Sequence, residues 1–160
     1  MNKNRRVIAL GFFDGVHLGH GALLRRAAEE AALRGCTPAV FTFDRPPKEV
    51  VTGVPCPLIN SPEDRRDLVR RLYRIQDVLM VPFDREMMTT PWDDFIVRIL
   101  VGRYHAVHLV AGHDHHFGHR NQGTPELLAQ KCAQLGLGCD IIPKVELEGV
   151  TVSSNYIRTL

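Results

Sequence analysis

Five short apolar runs punctuate this chain, and between them the sequence turns helical. The runs are Arg6 to Phe13, Pro38 to Phe43, Asp77 to Val81, Ala106 to Ala111 and Cys139 to Pro143. They have strand rather than helix length and are rich in Val, Ile, Leu and Phe, with little alternation. Strands buried on both faces read that way. The helical segments between them are Gly19 to Arg34, Ser61 to about Tyr73, Thr90 to about Val101, and Thr124 to near Gly136. Strands alternating with helices at this spacing predict an α/β domain, a parallel sheet with helices on both faces.

Local chemistry marks the helix ends. Gly35 follows the first helix as a natural left-handed terminator. Ser61-Pro62-Glu63-Asp64 supplies an N-cap hydroxyl, a proline in the first turn and acids beside the positive helix end. Thr90-Pro91-Trp92-Asp93 and Thr124-Pro125-Glu126 repeat that pattern. The proline-rich stretch Asp44 to Pro57 and the polar stretch Gly112 to Gly123 read as loops. Val145 to Val152 reads as an extended return, and Ser153-Ser154 as the cap of a last helix, close to the end at Leu160. The short remainder suggests a truncated chain.

At 160 residues the chain is expected to be one domain, residues 1–160, with no linker or internal repeat. A formal net charge of +2 gives no argument for a nucleic-acid partner. No apolar stretch is long enough for a signal sequence or a membrane span, which predicts a cytoplasmic protein without a membrane partner. Cys36, Cys56, Cys132 and Cys139 are scattered and read as free, mostly buried thiols.

In open parallel sheets, ligands sit beyond the carboxyl ends of the strands. The loops Phe13 to His20, Asp44 to Pro57 and Gly112 to Gly123 share that edge. The first holds the most chemistry: Gly11-Phe12-Phe13-Asp14-Gly15-Val16-His17-Leu18-Gly19-His20. A strand-to-helix turn offers free backbone N–H groups to phosphate. Gly19 has no Cβ and allows close approach. His17 and His20 add positive charge and hydrogen-bond donors where a reacting phosphate would lie. The plainer reading of this tetrapeptide is a surface turn with two solvated histidines.

The segment Gly11-x-Phe13-Asp14-Gly15-Val16-His17-x-Gly19-His20 resembles the signature of the HxGH nucleotidyltransferases. More narrowly it resembles the FMN adenylyltransferase module of prokaryotic bifunctional riboflavin kinase/FAD synthetases. Further segments match that module in order: Phe41-Thr42-Phe43-Asp44 with Pro47 to Val50, Val81 to Glu86 with Asp94-Phe95, Gly112-x-Asp114 with Phe117-Gly118, and Val152 to Arg158. This chain departs from the pattern at Phe12, usually Asn, at Arg45-Pro46, usually Pro-His, at His115, commonly Phe, and at Asn155, usually Thr.

The resemblance implies a Rossmann-like nucleotidyltransferase fold and the reaction ATP + FMN → FAD + pyrophosphate. It implies His17, His20 and Arg158 as catalytic residues. It places ATP against Gly11, Phe12, Phe13, Asp14, Gly15, Gly19, Ser153 and Ser154. FMN would lie against Phe43, Pro47, Asp114, His116 and Phe117. Mg²⁺ would come with ATP, with no dedicated protein metal site. The riboflavin kinase module is absent from these residues, so no kinase activity is expected of them. Two other readings stay open: a nucleotidyltransferase with another phosphorylated acceptor, and a flavin or nucleotide binder without turnover.

The remaining candidates have plainer readings. His113, His115, His116 and His119 cluster, but without cysteine partners or a HExxH helix they read as a solvated binding loop rather than a metal site. Arg65-Arg66 and Arg70-Arg71 read as the solvated face of a helix whose Leu68 and Leu72 point inward. Trp92, Phe95 and Phe41 read as core.

Overall fold

A computed structural model describes residues 5–12, 18–45, 52–54 and 61–143, with backbone alone at 18–20. Five strands form one sheet: β1 (Arg6–Leu10), β2 (Thr37–Phe43), β3 (Asp77–Val81), β4 (Ala106–Gly112) and β5 (Gly138–Ile142). Every pairing is parallel, in the order β3-β2-β1-β4-β5. The order reverses between β1 and β4, so the ligand crevice of such a sheet opens beyond those two strands. The α/β architecture is the one expected.

Both faces are covered because each strand is apolar in both directions. Val7 and Ala9 point to one face, with Val40, Val110 and Ile142. Ile8 and Leu10 point to the other, with Ala39, Phe41, Leu109 and Ala111. The first face is packed by α1 (Leu18–Arg34) and α2 (Pro62–Tyr73). Leu23, Leu24, Ala27 and Ala31 form the buried stripe of α1. The helix closes at Gly35, φ +67°, with the Cys36 N–H donating to Ala31 O at 2.9 Å. That is the left-handed stop expected from sequence.

The second face is packed by a broken helical layer. It contains α3 (Arg85–Met88), α4 (Trp92–Asp94), a π-helical continuation (Phe95–Arg103) and α5 (Pro125–Leu135). Phe95, Ile96, Ile99 and Leu100 seal the sheet from the continuation, Leu128 and Cys132 from α5. The caps at Ser61 and Thr124 form as expected, accepting from Asp64 N–H at 3.1 Å and Leu127 N–H at 3.2 Å.

Three expectations fail here. Thr90 does not cap the helix after it: its hydroxyl donates back to Glu86 O at 2.7 Å and closes α3. The sequence reading missed α3, whose cap is Asp84, accepting from Met87 N–H at 2.9 Å. The third failure concerns α2. Leu68 does pack half-buried against the first face, but Leu72 is 59% exposed, whereas Val69 and Arg65 are buried. The inward stripe runs through Arg65 and Val69, one position off the expected face, because an arginine was not counted as a candidate for burial.

β1 ends at Leu10 rather than Phe13. Past Leu10 the Gly11 N–H still donates to Phe41 O at 3.3 Å, but the Phe12 carbonyl accepts from side chains: Thr42 Oγ1 at 2.8 Å and Arg65 at 2.9 Å. Cys132 is buried, Cys36 and Cys139 half-buried, and all three are free thiols; Cys56 lies outside the described residues.

Candidate active site

The carboxyl edge of the sheet carries a cavity of about 210 Å³ beyond β1, β2 and β4. Gly11 and Phe12 form its β1 side, Phe41 and Phe43 its β2 side, and His115 to Gly118 its β4 side. Phe83, Met87, Phe95 and Asn121 complete the wall. Such an apolar slot with a few polar groups at its rim is what a flat aromatic ligand needs.

Six rings form a continuous arc around this slot. Phe83 meets Phe43 with centroids 4.8 Å apart, Phe43 meets Phe41 at 5.5 Å, and Phe41 meets Phe95 at 5.3 Å. Phe95 meets Phe117 at 5.8 Å, and His115 stacks on Phe117 at 5.8 Å with the planes 15° apart. The first three contacts are edge-to-face, the arrangement that aligns positive ring edges with negative faces. The wall is therefore held by its own packing.

The loop after β4 is more folded than a polar stretch suggests. Phe117 and Gly123 exchange two backbone hydrogen bonds, at 3.2 and 2.8 Å, which close a small hairpin. Inside it, Gly118, Arg120 and Asn121 all have positive φ. At Gly118 a Cβ would stand 2.6 Å from Trp92 Cα, so only glycine fits. Phe117 is buried beneath this hairpin, while Asp114 and His116 are exposed beside it. The His116 ring binds Asp114 O through Nδ1 at 2.9 Å. His115 is half-buried, stacked on Phe117. Burial against Phe117 pushes its pKa down to about 4, so the ring is neutral near pH 7.

Of the residues expected at the flavin side, the structure thus brings Phe43, His116 and Phe117 to the cavity lining, His116 at its exposed edge, and leaves Asp114 exposed outside it. Pro47 lies outside the described residues. At the nucleotide side, Gly11 and Phe12 line the cavity, and Gly19 lies in the first turn of α1, which starts at Leu18. Phe13, Asp14, Gly15, His17, Ser153, Ser154 and Arg158 lie outside the described residues, as does the side chain of His20. α1 starts at Leu18, and a helix N-terminus attracts anions.

The residue that sequence reasoning most clearly missed is Arg65. Its side chain is 1% exposed, and it lies between the ends of β1 and β2. One guanidinium nitrogen donates to Phe12 O at 2.9 Å and Thr42 Oγ1 at 3.2 Å. The other donates to Phe43 O at 2.9 Å and Asp44 O at 3.2 Å. The guanidinium carbon also sits 4.2 Å from the centroid of the Phe12 ring, a cation–π contact. The available signal was helical spacing: Arg65 is four residues before Val69, on the buried stripe. Phe83, Met87 and Asn121 were likewise not singled out.

Among the described residues one group has metal-ligand geometry: Glu30, His108 and Asp140, with ligand atoms within 4.8 Å of one another. Its carboxylates already hold arginines. Arg26 reaches Asp140 at 3.0 Å and Glu30 at 2.9 Å, and Arg34 reaches Glu30 at 3.2 Å. His108 Nε2 lies 2.8 Å from the same Asp140 oxygen. Two guanidiniums on two carboxylates neutralise the site, and it reads as an ion-pair network joining α1 to β4 and β5. Burial would raise the Asp140 pKa, but hydrogen bonds from Arg26 and His108 outweigh it and hold the carboxyl below its ordinary range.

Known proteins share this arrangement of sequence. The bifunctional riboflavin kinase/FMN adenylyltransferase of Bacillus subtilis is 32% identical over 157 residues, covering 97% of this chain and 49% of that protein. The protein of the same description from Pseudomonas fluorescens is also 32% identical, covering 95% of this chain and 49% of its own length. The chain thus spans about half the length of the curated relatives it matches. A crystal structure described as a macrolide-efflux protein from Streptococcus pneumoniae superposes with a TM-score of 0.74 at 26% identity. It covers 87% of this chain and 46% of that one. No helix among the described residues is long and apolar enough to cross a membrane. The family model described as FAD synthetase matches residues 1–156, and over that whole extent the chain belongs to the FAD synthetase family.

Proposed function

We propose that this chain transfers AMP from ATP to FMN, giving FAD and pyrophosphate. The observation that carries the reading is the apolar slot opening beside Gly11 and Phe12, where β1 leads into the two-histidine turn. An isoalloxazine ring fits between the aromatic walls, stacked near Phe43 or Phe117. Its ribityl phosphate then extends toward the N-terminus of α1.

The chemistry is an in-line displacement. An FMN phosphate oxygen attacks the α-phosphorus of ATP, the bond to the bridging oxygen breaks, and pyrophosphate leaves. No covalent enzyme intermediate is required, so the protein's work is positioning and charge stabilisation. His17 and His20 stabilise charge building on the α-phosphate oxygens. Ser153 and Ser154 donate to the departing pyrophosphate, and Arg158 holds it with its planar fork. ATP enters as its Mg²⁺ complex, with the cation held chiefly by phosphate oxygens and water.

The test pairs synthesis with binding. Labelled ATP and FMN should yield labelled FAD and pyrophosphate, and FMN fluorescence should be quenched on binding. Riboflavin, lacking the phosphate nucleophile, should bind more weakly and yield no dinucleotide. Pyrophosphate release with a different phosphorylated acceptor, but none with FMN, would replace the flavin reading. Binding of FMN and ATP without any turnover would replace it with a non-catalytic one.

A further inference from the structure

We propose that Arg65 is a positioning residue for the reaction, acting through the main chain at the ends of β1 and β2. This rests on the reading in the preceding subsection. An arginine that is 1% exposed has given up its hydration, and four hydrogen bonds to well-placed oxygens offset that loss. A solvent-facing position was available one residue away on the same helix, where Arg66 is only half-buried. The burial therefore concentrates on the strand ends.

The acceptors identify what is held. Phe12 O is the last described carbonyl before the turn that carries His17. Phe43 O and Asp44 O are the first carbonyls past the centre of the slot on β2. Among the described residues three of the four acceptors are backbone, so the guanidinium fixes the direction in which both chains leave the sheet. Asp44 extends the bracing: its Oδ1 accepts from Phe83 N–H at 3.2 Å, at the exit of β3. The Phe12 ring under the guanidinium, at 4.2 Å, locks the same turn from its side-chain end. Arg65 thereby sets where the β1 and β2 exits begin.

A lysine cannot reproduce this. One ammonium can face two or three acceptors, but it cannot span both strand exits as a planar fork does. Misplacing a catalytic turn by about 1 Å costs on the order of a hundredfold in rate. Arg65→Lys and Arg65→Met should therefore lower kcat by roughly ten- to a hundredfold, with KM for ATP and FMN changed less than about threefold. Arg71→Met, on the exposed face of the same helix, is the control. Hydrogen exchange should rise in the amides of the β1 and β2 exits in the Arg65 variants and stay unchanged in β4 and β5.

The outcomes separate cleanly. A selective rise in exchange together with a kcat loss in the folded Arg65→Lys protein supports the proposal. Wild-type kcat in a folded Arg65→Met protein overturns it. So does a loss of activity that merely tracks the unfolded fraction by circular dichroism, because that describes a stability role alone. If the wild-type chain makes no FAD, the functional reading fails. The exchange measurement then decides the clamp: unchanged protection at both strand exits overturns it, and a selective rise upholds the positioning of the turn.

Discussion

Two of the arginine-centred networks that brace this sheet are wired differently. At the carboxyl ends of β1 and β2, Arg65 is buried and holds mostly backbone carbonyls. Between α1, β4 and β5, Arg26 is 41% exposed and holds side-chain carboxylates, with His108 completing the set. A guanidinium on carbonyls fixes where a chain goes. A guanidinium on carboxylates fixes which elements stay together, and partly exposed ion pairs do that weakly. The difference teaches that what a guanidinium holds, main-chain carbonyl or carboxylate, decides whether it directs a chain or joins two elements.

The sharpest way to break the comparison is to disable chemistry at one edge and charge at the other. His20→Ala should lower kcat by roughly two orders of magnitude or more, with little change in ATP binding, the scale for losing one donor used in the transition state. Asp140→Asn should leave kcat within about twofold, since its partners sit away from the turn. Steady-state FAD formation measures both. Equal losses in the two variants would mean that the ion-pair network also serves the reaction.

Next in size is a stability effect confined to the second network. His108→Ala removes a buried ring bonded to Asp140 and leaves a cavity beside Gly138, where an added Cβ would collide with His108 Nδ1. A loss of about 2–3 kcal/mol in urea unfolding is expected, with kcat per folded molecule unchanged. A loss below about 0.5 kcal/mol would show that this network holds nothing together.

Acid separates the regions further. The folded His115 holds its neutral form down to about pH 4, whereas the unfolded ring takes a proton near 6.5. The unfolded state binds more protons between those values, so stability should be flat above pH 6.5 and fall toward pH 4. His115→Phe keeps the stack on Phe117 and should flatten that window. Asp140 contributes in a lower window. Its folded pKa lies below the ordinary 3.8, so its contribution is full above that value and fades only as pH falls further. Thermal unfolding at pH 7, 5.5 and 4.5 tests the first claim; an identical decline in His115→Phe would refute it.

The smallest effects are at the caps. Ser61→Ala and Thr124→Ala should each cost about 1 kcal/mol. Ser61 opens the helix that carries Arg65, so only its variant should raise hydrogen exchange at the β1 and β2 exits. Equal exchange in both variants would detach α2 from the bracing of the site.

Much of this was legible along the chain because it rests on local chemistry. Apolar runs of strand length, Gly35 after an alanine-rich helix, and Ser61 or Thr124 before proline each act through neighbours within a few residues. The alternation of such elements leaves few ways to bury both faces of a sheet, so the parallel α/β fold followed. The edge that gathers the loops followed from the same logic. What only packing could decide were long-range choices: Arg65 turning inward to carbonyls at the ends of two strands, Thr90 bonding backward rather than forward, and His115 stacking half-buried on Phe117. Each depends on partners that chain distance does not reveal, 53 residues away for Arg65 and Phe12. A polar side chain is exposed or buried according to whether fixed oxygens or rings await it, and the folded sheet is what fixes them.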